Sequence, residues 1–489
     1  MTPPPRFAGT AARETVRAAF VDAAYTEAGL ARIVGPDIAA RQRLRWRVEI
    51  ARRFGGRTAQ GLLARLFLAG LPATREDVHD LLGRDRAGAL RQAGLLTGDA
   101  ECLGTVAVTP VGERLIAHDR RDAHQRGAAE FVPGPAPATR RFADVAIRRP
   151  GARVLDLGCG QGLLAVLAAE QGGQVIAADL NPRAVAFAAF NAALNGLDNV
   201  TCLHGDLFAP VAGTQFDLIL ANPPFVISPD ATFLYRDGRG ICERIARDAP
   251  SFLADGGILQ MVCNWPCRRG QDGRDDLSAW FRDTGCDVWV LQTDRIDAAT
   301  YAGIWLGQAH EDPAAIAPEL DRWITFYDES GIDAVGVGVV AMRRRTPGGR
   351  TTPPWLEIRD MPPANGPCGE TIARVLEARE WLARHDAQAL LDARVSLAPE
   401  ARCVVTQQPS ALGWERASSE VRLARGLAMA VRLDPVGSAL AGYLDGTRTV
   451  REASGVFASA IGMPANALLP EVPALVRRLV ELGLVVGVH

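Results

Sequence analysis

The sequence predicts an α/β fold, in which a Rossmann-like parallel sheet lies between two smaller, mainly helical, winged-helix-like domains. Four apolar runs rich in β-branched residues follow one another between residues 153 and 222, and helical periodicity separates them. Each run ends in a polar residue, and a glycine-rich turn follows the first. Alternating strands and helices build a parallel sheet, and ligands bind at the carboxyl ends of its strands.

The first strand, residues 153–156, ends in Asp156 and leads into a helix that begins at Leu163. The turn between them has glycine at every second position: Gly158, Gly160 and Gly162. Glycine lets a backbone turn tightly and approach a ligand. Dinucleotide-binding folds need glycine where this chain has Leu163, and a carboxylate at Asp156 repels a pyrophosphate but suits an ammonium group. Asp156 and the three glycines are therefore expected to bind S-adenosylmethionine rather than NAD.

The second and third strands each end in an acid followed by a leucine, Asp179-Leu180 and Asp206-Leu207. An acid at the second strand tip binds ribose hydroxyls in nucleotide-binding folds, so we expect this role for Asp179. Asp206 is expected to accept from the adenine amino group while Leu207 packs on the ring, and Leu180 is expected to contact the cofactor as well. The alternative for each acid is a helix cap or a solvated loop.

The fourth strand, residues 216–221, leads to Asn222-Pro223-Pro224-Phe225. Two prolines fix φ and remove two donors, which exposes carbonyl acceptors in a rigid turn. The side-chain oxygen of Asn222 and the carbonyl of Pro223 can each accept one hydrogen of an NH₂ group, and Phe225 can stack on a planar substrate. These four residues are the predicted catalytic set for methyl transfer to a planar nitrogen, and Asn222 is also expected to contact the cofactor. The alternative is a proline turn that ends a buried strand.

With this motif, residues from about 131 to 344 resemble the methyltransferase small-domain family of class I S-adenosylmethionine-dependent enzymes. That family includes enzymes that methylate release-factor glutamine, guanine N2 in ribosomal RNA and adenine N6, and its motif is Asn/Asp-Pro-Pro-Tyr/Phe. The resemblance implies an N-methyltransferase that uses S-adenosylmethionine. An alternative of another class is a regulatory protein that binds the cofactor without catalysis.

The segment 131–139 resembles the part of the family that folds over the cofactor, although it lacks the Arg and Glu usual in the glutamine enzymes. Phe131 is therefore expected to contact substrate, together with Phe225. Tyr235 follows the motif at a distance where substrate loops often lie, and a solvated loop is an equal alternative for it.

The amino-acid composition favours some classes of substrate over others and indicates the cellular compartment. The formal net charge is −2, so no broad basic excess favours RNA, and protein, peptide or small-molecule substrates rank above nucleic acid. The chain has no Lys, which excludes Schiff-base chemistry at a lysine. Nine cysteines occur without paired metal-ligand spacing, so no metal is expected. We expect a soluble cytoplasmic protein, with no membrane segment and with a homodimer possible.

Residue patterns and proline-rich breaks divide the chain. The prediction is a winged-helix-like domain over 1–128 that covers substrate or dimerises, a methyltransferase domain over 129–345, a linker over 346–400 and a small winged-helix-like domain over 401–489. Within the methyltransferase domain, residues 297–328 are expected to form a helical insertion. The strands 288–292 and 335–342 are expected to form an antiparallel pair.

Overall fold

A computed structural model of the chain describes residues 2–35, 52–53, 58–120, 130–229, 236, 240–309, 313–348, 352–411 and 413–487. The chain divides into two compact units. Unit 1 contains Met1–Ala143, Arg149–Pro223 and Ser251–Leu253. Unit 2 contains Asp144–Arg148, Pro224–Pro250 and Ala254–His489.

The N-terminal part of unit 1 alternates helices with short strands. In chain order these are α1 (Thr10–Val21), α2 (Glu27–Val34), α3 (Ala59–Leu63, continued as a π-helix over Ala64–Ala69), β1 (Ala73–Thr74), α4 (Arg75–Leu82), α5 (Arg84–Gln92), β2 (Leu96–Thr97), β3 (Glu101–Gly104), β4 (Ala107–Val111) and β5 (Arg114–His118). The hydroxyl of Thr74 caps α4 by accepting from the backbone N–H of Asp77. The assignment of this region to the winged-helix class stays a prediction.

The rest of unit 1 forms a parallel sheet with strand order β8-β7-β6-β9. Its elements are α6 (Pro137–Val145), β6 (Val154–Leu157), α7 (Leu163–Ala169), β7 (Val175–Asp179), α8 (Pro182–Leu194), β8 (Val200–His204) and β9 (Phe216–Ala221). All four residues of β6 are buried, because helices cover a parallel sheet on both faces. The four strands run in one direction, so their carboxyl ends meet at one edge, where the predicted cofactor residues follow.

The N-terminal region and α8 share one apolar core. Phe187 and Phe190 of α8 are buried in the same cluster as Phe20 and Phe67 of the N-terminal helices. Phe7 stacks on Phe190 with ring centroids 4.5 Å apart. Burial of aromatic rings supplies much of the stability of such a core. The N-terminal region is therefore part of the same packed body as the parallel sheet.

Unit 2 contains the antiparallel strands that the sequence predicts after the parallel ones. The elements are α9 (Ile241–Asp248), β10 (Leu253–Arg268), α10 (Arg274–Ala279), β11 (Asp287–Asp297), α11 (Ala298–Ala309), α12 (Pro313–Glu329), β12 (Ile332–Arg343) and β13 (Leu356–Asp360). Strand β12 pairs antiparallel with both β10 and β11, and β13 runs parallel to β11. The antiparallel pair is confirmed, and so is the helical insertion, which consists of α11 and α12.

The C-terminal region of unit 2 continues through the segment predicted as a linker. Its elements are β14 (Ala364–Asn365), α13 (Gly369–Leu382), α14 (Ala387–Asp392), β15 (Arg394–Leu397), β16 (Ala401–Ser410), β17 (Gly413–Leu423), β18 (Gly426–Leu427), β19 (Ala430–Leu433), α15 (Pro435–Ala441), β20 (Asp445–Thr449), α16 (Val450–Ala460), α17 (Val472–Glu481) and β21 (Val485–Val486). Ile372 and Val375 of α13 are fully buried, and β15 pairs with β20 and β21. Residues 346–400 thus contain regular structure. None of the helices in the described ranges is both long and apolar enough to span a membrane.

Candidate functional site

The glycine turn after β6 has left-handed backbone conformation at all three glycines, with φ of 72°, 52° and 81° at Gly158, Gly160 and Gly162. A Cβ at Gly162 would lie 2.9 Å from the Cα of Ala188 in α8, so this glycine permits close packing inside the fold. A Cβ at Gly158 or Gly160 would meet no atom within 4 Å. The first two glycines therefore border open space, where a ligand has room to approach the backbone.

Asp156 lies beneath this turn and is only 1% exposed. Its Oδ2 accepts a hydrogen bond of 2.9 Å from the backbone N–H of Ala165 in α7. Its Oδ1 is buried and has no hydrogen-bond partner among the described residues. Burial raises the pKa of Asp156 to about 7, and the nearby charge of Asp179 contributes in the same direction. A buried carboxylate oxygen without a partner is costly, so this position suits a cationic group of a ligand.

Asp179 ends β7 and ties the turn to the second strand. Its Oδ2 accepts from the backbone N–H of Gly160 and its Oδ1 accepts from the backbone N–H of Asn181, each at 2.8 Å. A carboxylate oxygen can accept more than one hydrogen bond, so both oxygens can still accept from ribose hydroxyls. Burial raises the pKa of this carboxyl. The next residue, Leu180, is 65% exposed and offers an apolar surface beside the acid.

Asp206 and Leu207 follow β8, the strand that pairs with β7. Leu207 has φ of 45°, which is rare for a residue with a side chain and costs on the order of 1 kcal/mol. Such strain occurs where surrounding structure fixes a backbone for function. Asp206 is exposed. The parallel order of the strands places this pair at the same sheet edge as Asp179, as the sequence predicts.

Asn222 follows β9 and is held in one orientation. Its Nδ2 donates a hydrogen bond of 3.1 Å to the hydroxyl of Thr139 in α6. Its Oδ1 is buried and has no hydrogen-bond partner in the described part of the chain. One of the two Nδ2 hydrogens is therefore engaged, whereas Oδ1 has no partner among the described residues. The catalytic role of Asn222 needs such an acceptor, and it stays a prediction.

The motif crosses the boundary of the two units, since Asn222 and Pro223 belong to unit 1 and Pro224 and Phe225 to unit 2. Pro223 is buried and Pro224 is exposed.

Phe225 packs within unit 2 against the helical insertion. The ring of Trp305 in α11 lies edge-on to Phe225, with centroids 5.8 Å apart and an interplanar angle of 68°. The hydroxyl of Tyr301 accepts from the backbone N–H of Ile227 at 3.4 Å, and the hydroxyl of Tyr327 donates to the carbonyl of Ile227 at 2.7 Å. The insertion thus holds the backbone just after the motif.

A buried polar pair supports this aromatic group. Nδ2 of Asn264 in β10 lies 2.6 Å from the hydroxyl of Tyr301. Both residues are almost fully buried, and burial raises the pKa of Tyr301, so its phenol stays protonated at neutral pH. The sequence analysis did not predict a site role for Thr139, Asn264, Tyr301 or Trp305, and it predicted the helical insertion only as a structural element. No local motif marks them.

Of the two other predicted substrate residues, Phe131 lies within the described part of the chain and Tyr235 does not. Phe131 is 7% exposed, so its ring lies mostly inside the protein. The segment around it is fixed, because the backbone N–H of Val132 donates to Oδ2 of Asp119 at 2.9 Å. Tyr235 lies outside the described residues. The neighbouring Arg236 donates from Nε to the carbonyl of Ser228 at 3.0 Å. The substrate roles of Phe131 and Tyr235 stay predictions.

The residues at the carboxyl edge of the parallel sheet fit S-adenosylmethionine. Oδ1 of Asp156 can take its ammonium group, the open side of Gly158 and Gly160 can take its chain, and Asp179 can accept from its ribose. Within the described ranges, no group of three or more His, Cys, Asp or Glu side chains is placed to hold a metal ion.

Two family models match separate segments of the chain. Residues 137–284 match the family model described as methyltransferase small domain. Residues 373–487 match a domain of unknown function, DUF7782. The second match overlaps α13 to α17 and includes part of the segment predicted as a linker.

Three relatives illustrate the similarity. A protein N5-glutamine methyltransferase of Methanocaldococcus jannaschii is 36% identical over 22% of this chain and 60% of its own length. A ribosomal RNA small subunit methyltransferase C of Alcanivorax borkumensis is 36% identical over 24% of this chain and 33% of its own length. A release factor glutamine methyltransferase of Deinococcus radiodurans is 30% identical over 40% of this chain and 81% of its own length.

The chain thus matches less than two thirds of the first two relatives and most of the third. The family-model match over residues 137–284 includes the glycine turn, the acids at the strand ends and Asn222 to Phe225. The chain belongs to the methyltransferase small-domain family of class I S-adenosylmethionine-dependent methyltransferases.

Proposed function

We propose that this protein transfers a methyl group to the side-chain amide nitrogen of a glutamine in a protein or peptide. The observation that carries the proposal is the buried Oδ1 of Asn222, which has no hydrogen-bond partner among the described residues while Nδ2 is engaged. A primary amide brings two N–H donors and a planar, weakly nucleophilic nitrogen. The names of the relatives from Methanocaldococcus and Deinococcus support glutamine as the first candidate.

Asp156, Asp179 and the glycine turn would hold the cofactor, which supplies an electrophilic methyl carbon attached to a sulfonium. Oδ1 of Asn222 and the carbonyl of Pro223 accept the two N–H groups of the acceptor amide. These hydrogen bonds favour a pyramidal nitrogen and orient its lone pair, so positioning supplies most of the rate. Phe225 stacks on the plane of the amide. The alkylated nitrogen loses its proton readily to water, so the site needs no strong base.

An RNA base is the second candidate, because the relative from Alcanivorax is named a ribosomal RNA methyltransferase. The exocyclic amino group of a base also presents N–H donors on a planar ring. The near-neutral charge of this chain ranks RNA below protein, since phosphate binding depends on cationic residues.

The test is transfer of label from methyl-labelled S-adenosylmethionine into a fractionated lysate, followed by protease or ribonuclease. Label that protease releases and ribonuclease leaves in place supports the proposal, and mass spectrometry should then find it on glutamine. Label released only by ribonuclease would replace protein with RNA as the acceptor. Calorimetry that detects no binding of S-adenosylmethionine or S-adenosylhomocysteine to the folded protein would reject an enzyme altogether.

A further inference from the structure

Strand β16 lies at the edge of the three-stranded antiparallel sheet β16-β17-β19 in unit 2. Among the described strands it pairs only with β17. Just before β16 begins, the backbone N–H of Ala424 donates to the carbonyl of Glu400 at 2.9 Å. Backbone groups alternate in direction along an antiparallel strand, so Cys403 and Val405 direct their N–H and C=O groups away from β17. The sheet therefore has a free edge along β16.

The half of this edge nearer the hairpin turn is protected, and the other half is not. Pro409 has no N–H group, and the register of β16 with β17 shifts between Thr406 and Gln407. Prolines and bulges keep sheet edges from pairing with other chains. Residues 401–406 contain no proline and keep a regular register with β17, and the side chain of Val405 is 41% exposed. This half of β16 can therefore accept another extended chain.

Two arginines lie opposite each other beside this edge, Arg402 of β16 and Arg422 of β17. Both are exposed, and in the described part of the chain neither pairs with a carboxylate. Like charges directly opposite each other destabilise a sheet. Nη1 of Arg402 donates to the carbonyls of Pro399 and Ala401 at 2.8 and 2.7 Å, and the Ala401 carbonyl belongs to the free edge. The guanidinium group thus lies where an added strand would pass.

The charges around the edge favour an acidic partner. Arg432 of β19 lies opposite Glu420 on the same face, so the paired positions of this face hold three arginines and one glutamate. Glu400, which precedes β16, is paired with Arg374. Strand β16 has no acidic residue, so the β16 of a second copy would bring no carboxylate to these arginines. A peptide with an acidic side chain opposite Arg402 would supply one.

We propose that residues 401–406 bind an extended acidic segment of the protein that is methylated, which adds to the sheet as a fourth strand. The added strand exchanges hydrogen bonds with Cys403 and Val405, places a carboxylate opposite Arg402, and turns an apolar side chain toward Val405 on the other face. A nucleic-acid backbone has no N–H donors for the edge carbonyls, which favours a peptide. The assignment of the segment to the acceptor rests on the proposed function, whereas the strand addition does not.

The first test is the binding of a probe peptide to the full-length protein, measured by fluorescence anisotropy. The probe is a fluorescein-labelled octapeptide in which glutamate and valine alternate. We expect saturable binding below about 1 mM, and a probe with glutamine in place of glutamate should bind at least about fivefold more weakly. Absence of saturable binding, or binding of an RNA oligonucleotide of the same charge in preference to the peptide, would overturn the proposal.

Val405→Pro tests the free edge itself. The substitution removes an N–H group that points away from β17, so the hairpin should still fold, which circular dichroism can check. Affinity for the probe should fall at least about fivefold, because one backbone hydrogen bond is lost. Val405→Thr is the matched control, since it keeps the N–H group and the branched shape, and its affinity should stay within about twofold of wild type. Equal binding by the two folded variants would overturn the proposal.

A charge exchange tests the arginines. The double variant Arg402→Glu, Arg422→Glu should lose binding of the glutamate probe and bind a probe with lysine in its place. The control with the same change in net charge is Arg425→Glu, Arg432→Glu, which alters exposed arginines away from the free edge. It should keep its preference for the glutamate probe at physiological salt, where distant charges are screened. The same exchange of preference in both double variants would contradict the assigned contact.

Methyl transfer then tests whether the segment belongs to the acceptor. On the protein that the labelling experiment identifies, Val405→Pro should raise the KM severalfold with kcat unchanged, whereas a short peptide around the methylated residue should react at the wild-type rate. An unchanged KM on the whole protein would overturn the assignment. Dimerisation in sedimentation that Val405→Pro abolishes would assign the edge to a second copy instead. Failure to find any methylated acceptor would reject the proposed function alone, since the probe measurements stand independently.

Discussion

Arg183 and Asp119 form a bidentate ion pair, and their side chains are only 6% and 5% exposed. Nε of Arg183 donates to Oδ2 at 2.9 Å and Nη2 donates to Oδ1 at 2.5 Å. Arg183 lies in the first turn of α8, which follows Asp179 at the end of β7, and Asp119 follows β5 and accepts from the backbone N–H of Val132. The pair therefore joins the N-terminal region, the segment beside Phe131 and the cofactor edge of the sheet.

Removal of one partner should destabilise the protein, because the remaining charge would be buried without compensation. We expect Asp119→Asn to lower the free energy of unfolding of unit 1 by roughly 3 kcal/mol, measured by urea denaturation. The control is Asp198→Asn, whose partner Arg13 forms an ion pair with a carboxylate that is 76% exposed. The control should change stability by less than about 1 kcal/mol. Equal effects of the two variants would contradict the role of the buried pair.

Asp179 should be a determinant of cofactor affinity. Asp179→Ala removes the proposed ribose acceptor and also the oxygen that accepts from Gly160, so the dissociation constant for S-adenosylmethionine should rise at least about tenfold. Calorimetry on the folded variant gives this value directly. An unchanged dissociation constant would refute the ribose role.

Asn222 should act in the transition state rather than in cofactor binding. Asn222→Ala removes the vacant acceptor, so we expect single-turnover methyl transfer to fall by roughly a hundredfold or more. The dissociation constant for S-adenosylmethionine should stay near the wild-type value, measured in parallel. Retained transfer would rule out the positioning role, and lost cofactor binding would make Asn222 a cofactor residue instead.

The raised pKa of Asp156 predicts that cofactor affinity depends on pH. Its carboxyl has a pKa of about 7 in the folded protein, and the ammonium group of the cofactor needs the ionised form. Between pH 5.5 and pH 7 the ionised fraction rises more than tenfold while an α-amino group stays largely protonated, so the dissociation constant should fall by about tenfold. Asp156→Asn should remove most of this dependence. A flat profile in the wild type would show that Asp156 does not pair with the ammonium group.

The same shift predicts a change in the stability of the ligand-free protein. The folded pKa lies above the ordinary value, so the folded state binds the proton more tightly than the unfolded state. The stabilisation from this group is complete below about pH 4 and is lost as the pH rises through about 7. Saturating S-adenosylmethionine should restore stability at pH 7 and above, which thermal denaturation with and without the cofactor can measure.

Trp305 should affect the acceptor and not the cofactor. Trp305→Leu removes the ring that lies edge-on to Phe225, so Phe225 should lose its fixed orientation and the KM for the acceptor should rise severalfold. Ile304→Ala is the matched control, because this side chain lies on the same helix and is 43% exposed. A change in the affinity for the cofactor without a change in the KM for the acceptor would contradict this role of Trp305.

The parts of the site that the sequence predicts are those made by local chain geometry. The glycine turn, Asp179 and the Asn222 motif each lie at the end of a strand, and the apolar period of the strand determines where that end falls. Thr139 and Asn222 are separated by 83 positions, and Tyr301 and Ile227 by 74. Such pairs depend on how helices pack against the sheet, which periodicity does not specify.

The segment 346–400 is predicted as a linker, although it contains helices and strands, because its composition is typical of loops. Its prolines and glycines are typical of loops, and several of them lie between the end of β12 and the start of β13. Helix α13 nevertheless follows, with Arg343 of β12 and Glu380 of α13 paired in a largely buried ion pair. A charged residue that is satisfied by a distant partner looks like a surface residue in the sequence alone.

The two tyrosines that hold the backbone of Ile227 belong to helices inserted between antiparallel strands, whereas the cofactor acids follow parallel strands. Substitutions in α11 and α12 can therefore change which acceptors bind while every cofactor residue is retained. Residues 298–329 are a suitable segment to exchange between members of the family. A chimera that carries the insertion of another member should keep its methyl donor and acquire a different acceptor range.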